Sequence, residues 1–388
     1  MQNFDFYNPV QVLFGKGQIA NLGMLLAPYS RIMLLYGGGS IMQNGVYEQI
    51  KAALGEKSCI EFGGIEANPT YETLMRAVEI GRNGQIDFIL AAGGGSVIDG
   101  AKFVAAAIPF QDGDPWQILE KWGRNVHSAT PFGCVLTLAA TGSETNCASV
   151  ITQAATRSKR SFSNRAVFAR FAIMDPQTQY SLPPRQIGNG VVDSFVHVVE
   201  QYLTQDCQAA VQDRLAEGIL LTLIEQGPKA LQEPQNYAVR ADLMWAASMA
   251  LNGMCGVGVI QDWSTHMVGH ELTALYGLDH AQTLAVVLPA MLRERRAQKQ
   301  NKLLQFARRV WQLESREASP EAVCEMAIAK TEQFFREMGV KTRLSEYGLD
   351  SQAIEAVQNA LRAHRMVSLG EQRDITPEVV GRVLQRCL

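Results

Sequence analysis

No Cys-x-x-Cys pair occurs among the seven cysteines, which are odd in number and scattered over 388 residues. That spacing excludes a thiolate zinc site and a disulfide framework, and predicts free thiols in a reducing cytoplasm. A surplus of one charge is also missing: 35 Lys and Arg stand against 38 Asp and Glu, a net charge of −3 with both signs interspersed. Without a basic field, neither nucleic acid nor an anionic membrane surface is an expected partner. No apolar run approaches the roughly 18 residues of a membrane helix. The opening "MQNFDFYNPVQVLFGKG" lacks a charged start followed by an apolar core, so no secretory signal is expected. Small molecules are the expected partners.

What is present is a packed globule. Hydrophobic residues make up 47% and charged residues 19% of the chain. The length exceeds one ordinary core, so two domains are expected. In the first half, β-prone runs at 10–14, 32–36, 88–92, 133–138 and 171–174 alternate with helix-like stretches such as 70–83 and 99–107. Strand, glycine turn and helix in alternation predict a mostly parallel sheet covered on both faces. From about Ile187 the apolar spacing becomes helical almost throughout. Pro183 and Pro184 mark the boundary, since proline fits neither a helix interior nor a central strand. The expected domains are 1–182, α/β, and 183–388, all-helical.

Two strands end in bare backbone. "MLLYGGGS" places Gly37, Gly38, Gly39 and Ser40 after one, and "GGGSVIDGAK" places Gly94, Gly95 and Ser96 after another. A glycine turn feeding a helix offers N–H donors and partial positive charge to a phosphate, so both turns predict dinucleotide contacts. NAD-specific sites carry an acidic residue near such a strand end, which repels a 2′-phosphate. Gly37, Gly38 and Ser40 are neutral and supply donors, which predicts NADP(H). The helical half holds a second constellation. Asp193 and His197 are four apart, as are His266 and His270, with His280 following a glycine helix end. Carboxylate and imidazole suit Fe²⁺ or Zn²⁺. Spacing alone nominates His266 with His270 as the second ligand pair, and does not show which histidines bind. His127 and His364, being isolated, are expected to be structural or surface residues.

The segments "GGGSVIDGAK", "TLAATGSETN", "DPQTQYSLPPRQIGNGVVDSFVHVVEQY" and "WSTHMVGHELTALYGLDHAQT" together resemble the iron-containing (group III) alcohol dehydrogenases. Within them the chain looks most like the NADP-dependent butanol dehydrogenase and broad-range aldehyde reductase branch. The resemblance spans nearly the whole chain. It implies a dehydroquinate synthase-like architecture: a dinucleotide-binding α/β domain, a helical metal domain and a cleft between them. The implied ligands of one iron or zinc ion are Asp193, His197, His266 and His280, leaving His270 facing the cleft as the catalytic proton donor. Gly94, Gly95, Ser96 and Asp99 fall at the pyrophosphate turn and ribose. Thr137, Leu138, Thr141 and Asn146 lie along the dinucleotide, and Asn68 and Lys159 reach it from the rim. Gly188 and Ser194 depart from the small apolar residues usual beside the first ligand. The implied activity is hydride transfer between NADP(H) and short- to medium-chain aldehydes or primary alcohols, in a homodimer or larger assembly. A polyol dehydrogenase is the alternative within the same fold, and a silent nucleotide- or metal-binding protein the alternative outside catalysis. A dehydroquinate synthase-like lyase needs cationic side chains for an anionic substrate, and 188–202 and 262–283 contain no Lys or Arg.

Overall fold

The computed structural model describes residues 1–313 and 318–388. Among the described residues eight strands are formed: β1 (Gln11–Phe14), β2 (Arg31–Tyr36), β3 (Ser58–Phe62), β4 (Phe88–Gly94), β5 (Phe132–Leu138), β6 (Ala148–Gln153), β7 (Ser158–Ser163) and β8 (Phe171–Met174). The helices of the first half are α1 (Leu22–Leu25), α2 (Val46–Leu54), α3 (Tyr71–Asn83), α4 (Gly95–Ala107) and α5 (Gln117–Glu120). Those of the second are α6 (Pro184–Tyr202), α7 (Ala210–Gln232), α8 (Tyr237–Leu251), α9 (Ser264–Tyr276), α10 (His280–Glu294), α11 (Gln300–Arg309), α12 (Pro320–Glu337), α13 (Ser351–Ala363) and α14 (Pro377–Gln385).

Two compact units form. One comprises Tyr7–Leu182 with Pro234–Ser248, the other Met1–Phe6, Pro183–Glu233 and Met249–Leu388. The chain is therefore not divided by a single cut, whereas sequence alone assigns all of 183–388 to the helical part. Most of α8 joins the sheet-bearing unit, where Met244 is buried in the same apolar cluster as Met174 and Ala172.

In the sheet-bearing unit six parallel strands run in the order β1-β8-β5-β4-β2-β3, with β6 and β7 as a separate antiparallel pair. The central strands are buried on both faces, so they read as continuous apolar runs. Met33, Leu35, Ile89 and Ala91 pack with Val97, Ile98 and Phe103 on one face. Ile32, Leu34, Leu90 and Ala92 pack with Ile19, Val46 and Ile50 on the other. The period of two along each strand makes this division.

In the helical unit Phe195 sits among Phe306, Phe334 and Phe335 at ring separations of 5.4–6.4 Å. It lies two residues from both Asp193 and His197, on the opposite face of α6. Burying Phe195 therefore fixes the rotation of the helix that presents those two side chains. A carbonyl explains one departure in this helix: a Cβ at Gly188 would collide with the Met338 backbone oxygen. Ser194 is buried and donates to Gly190 O at 2.9 Å.

Candidate metal centre and dinucleotide turns

Three helices of one unit bring four side chains together. Asp193 and His197 come from α6, His266 from α9 and His280 from the first position of α10. One possible ligand atom from each lies within 4.8 Å of the other three. Asp193 Oδ1 is 3.8 Å from His197 Nε2 and 3.7 Å from His280 Nε2. Donors bound about 2.0–2.2 Å from a tetrahedral ion lie about 3.3–3.6 Å apart, so the spacing suits a first-row divalent cation. Asp193, His197 and His266 are buried. Burial pushes the His197 imidazole down to about 4, against the pull of Asp193, so the ring is neutral and ligand-competent at ordinary pH.

Close helix packing sets this convergence. A Cβ at Gly269 would stand 2.7 Å from Thr283 Oγ1, so glycine there lets α9 approach α10. The start of α10 is tied to α6, because Asp279 Oδ2 accepts from Arg185 Nε at 2.9 Å and Asn189 Nδ2 at 2.8 Å. Those contacts place His280 beside the α6 pair. His270, one turn beyond His266, is buried and lies outside the four-donor set. Its ring centroid is 6.5 Å from that of His266 and 5.4 Å from that of His280. The ligand pair nominated by spacing, His266 with His270, is thus not the pair the fold gathers with Asp193 and His197.

One residue of the site is missed by the sequence patterns. Glu200 stands seven residues after Asp193 and three after His197, on the same face of α6. Its carboxylate accepts from Thr265 N at 2.7 Å and His266 N at 3.2 Å, and meets His266 Nδ1. It therefore caps the start of α9 and fixes the ring that carries His266 Nε2, as carboxylates behind ligating histidines do. Burial, followed by the charge of Asp262, raises Glu200 to about 8, opposed by the backbone N–H groups of Thr265 and His266 and by the charge of Lys299. Asp262 is itself held by buried Lys299, whose Nζ donates to Asp262 Oδ2, Glu371 Oε1 and Leu203 O at 2.6–2.8 Å. The i+7 spacing of Glu200 from Asp193 was the available signal; Lys299 and Glu371 are too distant in sequence to leave one.

Elsewhere, His127 is exposed, with Asp112 at 4.0 Å. His364 Nδ1 meets buried Glu271 at 2.8 Å.

The two glycine turns lie at the carboxyl ends of adjacent parallel strands, β2 and β4. The chain runs outward from β2 to β3 and then, from β4, in the opposite direction across β5 and β8. This is the switch point at which doubly wound sheets bind dinucleotides. Gly94, at the N-cap of α4, is extended and makes no side-chain cap. A helix start of this kind can offer its first N–H groups to an anion. A Cβ at Gly95 would collide with Thr141, so glycine is required where these loops touch. Leu138 ends β5 opposite Gly94, with Thr137 buried beside it. Gly38 and Ser40 are exposed after β2, while Gly37 O accepts from Gly64 N at 3.0 Å.

Three cofactor candidates are drawn into internal contacts. Asp99 accepts from Ser143 Oγ at 2.5 Å and Val150 N at 2.9 Å. Asn146 accepts from Lys102 Nζ at 2.9 Å and donates to Gly142 O at 2.9 Å. Thr141 Oγ1 accepts from Ser143 N at 3.2 Å. These bonds order the loop after β5 against α4. Lys102, fully buried, also donates to Ser143 Oγ and Ala148 O. Burial lowers the Lys102 pKa and raises that of Asp99, each opposed by the other's charge. Asn68 and Lys159 meet, with Nζ 2.8 Å from Asn68 Oδ1, and Asn68 N donates to Ser96 Oγ at 3.3 Å. Lys159 is buried at this junction.

Residues 9–176 match the profile of the family described as iron-containing alcohol dehydrogenase. Residues 188–388 match the Fe-containing alcohol dehydrogenase family, C-terminal. The chain is 54% identical over 386 residues to the NADPH-dependent aldehyde reductase YqhD of Escherichia coli K12, with 99% of each chain covered. It is 41% identical over 363 residues to NADP-dependent alcohol dehydrogenase 3 of Entamoeba histolytica, with 92% of each covered. The crystal structure of YqhD from E. coli K-12 matches with a TM-score of 0.98 at 53% identity, over 100% of this chain and 99% of that one.

Proposed function

The chain belongs to the iron-containing alcohol dehydrogenase family, and from that premise we propose that it reduces aldehydes with NADPH and oxidises primary alcohols in reverse. The observation that carries the proposal is the convergence of Asp193, His197, His266 and His280 on one point. When bound, a divalent iron or zinc ion supplies Lewis acidity toward the carbonyl oxygen and the reduced dinucleotide supplies the hydride. Asp193, His197, His266 and His280 are assigned as ligands, with Glu200 holding the His266 tautomer. The N–H groups of Gly94, Gly95 and Ser96 take the pyrophosphate, and Gly37, Gly38 and Ser40 take the adenosine side with its 2′-phosphate. Asn68, Lys159, Asp99, Thr137, Leu138, Thr141 and Asn146 complete the cofactor assignment. For Asp99, Thr141 and Asn146 their internal hydrogen bonds favour shaping the loop.

Reduction consumes one hydride at the carbonyl carbon and one proton at its oxygen. His270 is assigned the proton, since it is buried beside His280 yet outside the donor set. The assay is loss of NADPH absorbance with butanal, before and after metal removal by a chelator. Absence of turnover in metal-loaded protein, with any of several short aldehydes, would refute the proposal.

A homodimer is proposed on the exposed edge of the sheet. Strand β1 pairs on one side with β8, and Phe14 and Trp245 stay partly exposed there with rings 6.0 Å apart. Light scattering on the purified protein tests this. Cytoplasmic residence is proposed on the seven free cysteines.

A further inference from the structure

We infer that Trp263 is a positioning residue for the metal donors, its indole fixing the orientation of His197 and His266; the inference rests on the metal reading above. Trp263 immediately precedes α9 and adopts the left-handed backbone, with φ 63° and ψ 5°. A bulky residue in that region is an outlier, and persists where its surroundings over-determine it. Three contacts do so. Asp262 Oδ1 accepts from Ser264 N at 2.9 Å, closing a turn around residue 263. Asp262 Oδ2 is held at 2.8 Å by buried Lys299. The indole Nε1 donates to Gln261 Oε1 at 2.7 Å.

The result of this restraint is the position of the ring. It lies 5.1 Å from the His266 ring at 74° and 6.2 Å from the His197 ring at 59°. Those two imidazoles stack on each other at 4.7 Å and 26°. Indole is the most electron-rich aromatic side chain. Imidazoles become electron-poor on binding a cation, so contact with indole favours the loaded state. The ring also narrows the rotamers open to two of the four ligands, which raises affinity by preorganisation. Glu200 fixes His266 from its Nδ1 edge, and Trp263 restrains the same ring from another side.

Trp263→Gly isolates the ring, because glycine accepts φ 63° without strain. Trp263→Asn is a second ringless variant tolerant of this backbone. Each protein is stripped with a chelator and titrated with Co²⁺, following its visible absorption. Both ringless variants should melt, metal-free, within a few degrees of the parent. They should bind Co²⁺ about 10- to 100-fold more weakly, with shifted bands. Trp263→Phe should recover most of the affinity. Parental Co²⁺ affinity and spectrum in the ringless variants would overturn the inference. A parent that takes up no Co²⁺ would instead overturn the metal reading, and this inference with it.

Discussion

The dinucleotide turns and the metal donors are built by different means. At the turns the groups proposed to hold the dinucleotide are backbone N–H donors, and their chemistry comes from a few adjacent residues at a strand end. Gly94, Gly95 and Ser96 need a parallel sheet behind them, and little else. The metal donors are side chains from three helices, with Asp193 and His280 standing 87 positions apart in the chain. Their meeting depends on Gly269 against Thr283 and on Asp279 tied to Asn189. A backbone site is therefore written locally, while a side-chain site is written in pairs whose assembly is decided by packing.

The first way to break this comparison is to remove a donor. Asp193→Ala should lose the metal and reduce turnover by about 10³-fold or more, while circular dichroism stays near that of the parent. Retained activity would mean that the cluster is not the reaction centre. His270→Asn should keep the metal yet lose about 10²- to 10⁴-fold in kcat, the range of a general acid. Unchanged kcat would remove His270 from the proton's path.

The turns are tested by charge. Gly37 directly follows the strand, but a Cβ there would stand 3.2 Å from Ile65 O. Gly38 has nothing within 4 Å and is the cleaner site. A carboxylate a few ångströms from a 2′-phosphate costs on the order of 1–4 kcal/mol. Gly38→Asp should thus lower kcat/KM for NADPH by roughly ten- to several-hundred-fold and for NADH far less. Equal losses for both would show that the turn does not read the phosphate.

The smallest expected effect lies away from both sites. Burial raises the Glu217 carboxyl, but hydrogen bonds involving Gln305, Arg309, Tyr202 and Arg214 outweigh it and hold its pKa below the usual range. A depressed carboxylate contributes stability above its unfolded pKa of about 4.3 and loses it as pH falls through the folded value. Glu217→Gln should lower the melting temperature near neutrality by a few degrees, and the gap to the parent should narrow on acidification. A gap that widens in acid would reverse the sign.

The contrast between the regions also explains what was legible. The five apolar strand runs are all strands in the fold, and in the four inner ones, β2, β4, β5 and β8, burial on both faces leaves a continuous signal. Edge strand β3, "SCIEF", and the polar hairpin β6–β7 leave a weak one, since half or more of their side chains meet water or polar neighbours. The i, i+4 spacing on α6 revealed Asp193 and His197. It could not choose among His266, His270 and His280, because the choice is made where α9 crosses α10. Residues 234–248 read as one more helix; that they belong with the sheet depends on tertiary contacts such as that of Met244.

The most direct test of the central assignment is the metal content of His280→Ala and His270→Ala, purified and loaded side by side. With Asp193, His197, His266 and His280 as the ligands, the His270 variant should hold close to one ion per chain, and the His280 variant should lose most of it. A His280 variant at full occupancy, or a His270 variant that is empty, would contradict that donor set.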